Sequence, residues 1–88
     1  MRNKITVLYF FAYWDDAALN KKDFINLCEY YGVKYENIDV ETEIGLKMSK
    51  RYKIKMCPRI VVLNGKQVIA TLNGRHLSEL EDILHAHR

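Results

Sequence analysis

The sequence predicts an α/β domain: a four-stranded mixed sheet with helices on both faces. Three observations lead there. The N-terminal run ITVLYFFA is apolar almost without alternation, as expected of a central strand covered on both sides. A helical stripe of apolar residues follows it. Further on, two β-rich runs are joined by Asn64-Gly65, the pattern of an antiparallel hairpin. Eighty-eight residues suffice for one such domain, spanning 1–88, with a single core.

Taken in order, Ile5 to Ala12 is the first strand. From Asp16 to Tyr31, the residues Phe24, Leu27, Cys28 and Tyr31 recur at i, i+3, i+4 and i+7, which is one face of a helix, and Gly32 is placed to stop it. Val33 to Val40 sets Val33, Tyr35 and Asn37 against Lys34, Glu36 and Ile38, a second and shorter strand. Glu43 to Tyr52 has helical composition, weakened at Gly45 by about 1 kcal/mol relative to alanine. Arg59 to Leu72 is the hairpin, with Asn-Gly suited to a type I′ turn because both central positions need positive φ. Ser78-Glu79-Leu80-Glu81 has the form of a capping box, and Leu80, Ile83, Leu84 and His87 share one helical face after it. The order is therefore β-α-β-α-β-β-α. A helical crossover makes the first two strands parallel and the connection right-handed.

Composition narrows the function classes. With 49% hydrophobic and 28% charged residues the chain reads as soluble and globular. The run Ile5 to Trp14 falls short of the roughly 18 residues that span a bilayer. It stops at Asp15-Asp16 and lacks a small-x-small cleavage pattern, so neither a leader nor an anchor is expected, and the cytoplasm is the expected compartment. Cys28 and Cys57 are too few for a disulfide framework or a zinc site, and His76, His85 and His87 are dispersed or terminal, so no metal is expected. The net charge of +3 is unevenly spread: residues 1–43 carry five basic and eight acidic side chains, whereas residues 44–78 carry eight basic and none acidic. Such a block creates a local field. It reads either as a solvated face or as a surface for an anion or an acidic partner.

In this order and spacing, four stretches make the chain resemble the thioredoxin-like superfamily. They are VLYFFAYW before the first helix, NIDVE (Asn37 to Glu41), YKIKMCPRIVVLNGK (Tyr52 to Lys66), and Gly74 before the last helix. The form is minimal and glutaredoxin-sized, without the additional N-terminal strand and helix of full thioredoxins. The resemblance implies a cis Cys57-Pro58 bond facing the redox motif. It also exposes a departure. Redox-active members follow the tryptophan matching Trp14 with Cys-x-x-Cys, whose first thiolate attacks and whose second thiol resolves. Here those positions read Asp15, Asp16, Ala17 and Ala18. Tyr9 and Tyr35 stand where the family usually places a buried acid and a lysine that assist proton transfer.

Asp15 and Asp16 can be read as a carboxylate pair, but neighbouring residues at a helix start point in different directions. The plainer reading is an N-cap, worth roughly 0.5 to 2 kcal/mol. Cys28 reads as a small buried hydrophobe. It lies about 18 Å down the helix from its start, against the roughly 7 Å between Cα atoms that a disulfide tolerates. Cys57 is either an apolar filler or a reactive thiol beside Lys55 and Arg59.

The resemblance thus implies a non-catalytic protein-binding or regulatory module with no cofactor and no catalytic residue. Its groove would comprise Trp14, Asp15, Asp16, Cys57, Pro58 and Gly74, with Trp14 as anchor or as packing over the loop. The alternative is a glutathione-linked, single-thiol oxidoreductase acting through Cys57, with Lys50, Lys55 and Arg59 contacting the carboxylates of glutathione. A protein partner, acidic in character, is expected in place of a membrane or nucleic acid, for which no recognised motif is present. A monomer is expected.

Overall fold

A computed structural model describes residues 4–12 and 21–87. Trp14, Asp15, Asp16 and the expected helix start at Asp16 lie outside the described residues. The elements run β1 (Ile5–Phe11), α1 (Lys21–Tyr31), β2 (Lys34–Asp39), α2 (Glu43–Arg51), β3 (Arg59–Asn64), β4 (Gln67–Asn73) and α3 (Ser78–Ala86). The sheet order is β2-β1-β3-β4, with β1 parallel to β2 and antiparallel to β3, and β3 antiparallel to β4. This is the mixed sheet and the element order that the pattern predicts.

The unbroken apolarity of β1 has a direct cause. Ile5, Val7, Tyr9 and Phe11 face one layer, where Phe24 and Cys28 of α1 and Leu80 and Leu84 of α3 pack against them. Leu8 and Phe10 face the other, with Ile38, Val61 and Leu63 buried beside them and Met48 and Tyr52 packed on from the α2 side. Each such large side chain contributes roughly 1.5 to 3 kcal/mol on burial, so a polar residue at any of these buried positions would be costly; Thr6, the polar residue of the strand, is only half-buried. The rings of Tyr9 and Phe24 stack at 4.9 Å, tying α1 to the centre of the sheet.

Local chemistry departs from expectation at three points. Gly45 is not a weak spot in α2. A Cβ there would run into the Asp39 carbonyl oxygen and come within 2.8 Å of Thr42 Oγ1, so only glycine lets the helix start pack onto the end of β2. Thr42 is the N-cap: its Oγ1 accepts the Gly45 N–H at 2.9 Å and donates to the Asp39 carbonyl at 2.8 Å.

The hairpin turn is also shifted by one residue. Asn64 pairs with Gln67, so Gly65 and Lys66 are the central residues, and of these only Gly65 has positive φ, at 63°. A type I′ turn needs positive φ at both positions, whereas a type II′ turn needs glycine at the first. Finally, α3 has Leu77 as its N-cap with no side-chain cap hydrogen bond, so Ser78 is already the first helical residue and the capping box does not form. His87 ends that helix as an exposed C-cap and is not part of the buried stripe, which consists of Leu80 and Leu84 with Ile83 half-buried.

Candidate functional site

The candidate groove is built where β3 begins and β4 ends. Antiparallel register sets Arg59 opposite Asn73, which brings the residue before β3 against the residue after β4. Pro58 is buried, and the Cys57–Pro58 peptide bond is cis. Gly74 donates its N–H to the Pro58 carbonyl at 3.1 Å. A Cβ on Gly74 would stand 2.7 Å from Pro58 Cβ and 2.9 Å from Tyr9 Cε1. Glycine is therefore required for the two loops to close on each other. The turn is held in addition by Asn73 Oδ1, which accepts the Arg75 N–H at 2.9 Å.

Tyr9 supplies the base of this platform. It is fully buried, and its hydroxyl donates to the Gly74 carbonyl at 3.4 Å. The sequence did not single it out for this role; the signal was a phenol inside a run of otherwise hydrocarbon side chains, since a buried Tyr O–H needs an acceptor. Tyr35 is not its partner. Register places Tyr9 opposite Asn37 and Val7 opposite Tyr35. The Tyr35 hydroxyl instead donates to the Glu29 carboxylate at 2.9 Å, and that bond holds the phenol above its usual pKa.

The two sulfurs lie in different layers. Cys28 is buried among the α1 and α3 side chains, and burial, with the charge of adjacent Glu29 adding to it, pushes its thiol up to about 12. Cys57 is half-buried and packs against the cluster on the α2 side. The sheet stands between them, so they are not bridged to each other.

Of the cations singled out from sequence, Arg59 is half-buried beside Pro58, with Nη2 3.9 Å from the sulfur of Met56. Lys55 is exposed on the loop leading to Pro58. Lys50 occupies the last turn of α2, next to Arg51, which lies with Leu63 and Gly65 at the other end of β3, roughly 13 Å from Arg59 at ~3.3 Å per strand residue. Met56, 65% exposed, adds an apolar side chain at the rim that the sequence reading passed over. Its signal was a thioether in the otherwise cationic stretch KIKMCPR. Among the described residues no three His, Cys, Asp or Glu side chains group as a metal site would need, and no helix is long and apolar enough to cross a membrane.

The overall fold recurs in known structures. The chain superposes on a Fasciola hepatica thioredoxin with a TM-score of 0.86 at 18% identity, over 99% of this chain and 84% of that one. A Nicotiana alata thioredoxin gives a TM-score of 0.86 at 21% identity, over 100% of this chain and 76% of that one. The chain has the thioredoxin fold. In sequence, it is 30% identical over 71 residues to thioredoxin 2 of Plasmodium falciparum, a match covering 80% of this chain and 45% of the relative. The chain thus spans a little under half the length of the curated relative it matches. No protein-family model matches. The structural likenesses show the fold, and the sequence likeness agrees with it.

Proposed function

We propose that this thioredoxin-fold protein is a non-catalytic binding or regulatory module that does not perform dithiol exchange. The observation that carries the reading is the separation of the sulfurs: the sequence holds only Cys28 and Cys57, and the sheet stands between them. Dithiol exchange needs an attacking thiolate and a resolving thiol within reach of each other. The four residues after Trp14, Asp15-Asp16-Ala17-Ala18, provide neither. Pro58 packs closely on Gly74, and Met56, two residues before Pro58, is exposed. A groove of Trp14, Asp15, Asp16, Cys57, Pro58 and Gly74 would then hold a protein partner, with Trp14 as its aromatic anchor.

An affinity pull-down from the native host tests this, comparing wild type with Trp14→Ala. Loss of specific partners in the variant supports the groove; an unchanged bound set overturns it.

A second reading is favoured by one difference between the thiols: Cys57 is partly exposed where Cys28 is fully buried. Under it, the Cys57 thiolate would attack oxidised glutathione, forming a protein–glutathione disulfide and releasing reduced glutathione, with Lys55 and Arg59 near the ligand's carboxylates. Intact-mass measurement after incubation with oxidised glutathione decides it. An adduct absent from Cys57→Ser supports this reading, and no adduct ends it.

A further inference from the structure

A second surface, on the α2 side of the sheet and away from the Pro58 platform, has the makings of a binding trough. Ile44, Lys47, Met48 and Arg51 stand at i, i+3, i+4 and i+7 of α2 and line a depression of about 290 Å³. Arg51 also borders a larger depression of about 500 Å³, shared with Tyr52, Leu63, Gly65 and Lys66. Arg51 borders both, so the two depressions adjoin at that residue, one toward the start of α2 and the other toward the β3–β4 turn. Ile44 and Arg51 are about 10 Å apart along the helix at 1.5 Å per residue, which is room for about three extended residues at ~3.3 Å each, and the second depression reaches Lys66.

The chemistry of this adjoining pair is apolar at one end and cationic along its length. Ile44 is 70% exposed and lines the first depression beside Met48, so an aliphatic side chain seated there would bury apolar surface on both. Lys47, Arg51 and Lys66 follow, within a stretch, residues 44–78, that contains eight basic residues and no acid. We infer that this trough binds an extended acidic segment of a partner protein, seating an aliphatic side chain against Ile44 and Met48 and its carboxylates along Lys47, Arg51 and Lys66. Charge complementarity selects an acidic occupant. The aliphatic end selects a peptide over a nucleic acid, because a phosphate backbone gains nothing from Ile44. Among the described residues that line the trough, Tyr52 alone is aromatic, and its half-buried ring is tilted against Phe10 at 6.1 Å, so a run of bases would find no series of stacking platforms.

The probe is a fluorescein-labelled decapeptide of glutamates with two leucines at one end, read by anisotropy. Its comparators are the same peptide with glycine for leucine, the same with lysine for glutamate, and a ten-nucleotide oligothymidylate. The leucine-glutamate peptide should bind most tightly. Arg51→Glu and Lys66→Glu, both exposed, should each weaken it about tenfold, and Ile44→Ser several-fold. Lys22→Glu, an equal charge change on α1 across the sheet, should alter it less than twofold, and so should Trp14→Ala, which separates this trough from the groove proposed above. Any of these binding results would overturn the inference: no peptide binding, tighter binding of the oligothymidylate, equal losses in Arg51→Glu and Lys22→Glu, or an equal loss in Trp14→Ala. Self-association of the wild type in sedimentation, abolished by Arg51→Glu, would overturn it by assigning the trough to a second copy of the chain.

Discussion

Gly45→Ala separates two physical expectations by sign. In an open helix, alanine exceeds glycine by about 1 kcal/mol, so propensity alone predicts a higher Tm. The packing predicts the reverse. The added Cβ would collide with the Asp39 carbonyl oxygen, and it would stand 2.7 Å from the Asp39 carbonyl carbon and 2.8 Å from Thr42 Oγ1. Asp39 has little freedom to yield, since it pairs with Phe11 in the sheet and its carbonyl accepts both the Thr42 hydroxyl and the Thr42 N–H, at 2.8 and 3.2 Å. The helix start must therefore move off the sheet. Overpacking of this kind costs about 1 to 3 kcal/mol, and loss of the Thr42 cap about 1 kcal/mol more. After the propensity gain, the net loss is about 2 kcal/mol. At about 4 to 8 °C per kcal/mol for a domain of this size, Tm should fall by about 8 to 16 °C. Circular dichroism melts of the two proteins measure it. A Tm equal to or above wild type would refute the packing argument.

Other outcomes follow from the same structure. Tyr9→Phe removes the hydroxyl that reaches the Gly74 carbonyl and should cost roughly 1 kcal/mol, seen as a lower midpoint in urea with an unchanged slope. In the native protein at pH 8, a thiol reagent should modify Cys57 well before Cys28, which becomes reactive only on unfolding; equal rates would contradict its burial. The raised Cys28 pKa also carries a pH dependence. The unfolded thiol ionises near 9.0 while the folded one stays protonated to about 12, so unfolding releases a proton across that window and stability falls as pH rises through it. Cys28→Ala should flatten that alkaline slope in denaturant titrations at pH 8.5 to 10.5.

Much of the fold was legible because binary pattern governs large features. β1 could be read as central from its lack of alternation, and the crossover helix dictated its parallel pairing with β2. What failed were points where a contact distant in sequence overrides a local rule. Gly45 looked like a helix weakness because nothing in its own window reveals the Asp39 carbonyl beneath it. Asn64-Gly65 suggested a type I′ turn, but pairing of Asn64 with Gln67 moved Gly65 to the first central position. At the site, Pro58 and Gly74 were legible through resemblance, whereas Tyr9 and Met56 were not. Tyr9 is 65 residues from Gly74, and only the antiparallel return of β3 and β4 brings them together.

The most direct measurement is insulin reduction with NADPH and thioredoxin reductase, using a dithiol thioredoxin as positive control. The account predicts turnover no faster than the blank. Sustained turnover that Cys57→Ser abolishes would contradict it, because a sulfur on one face of the sheet would then be completing a cycle that the separated thiols do not support.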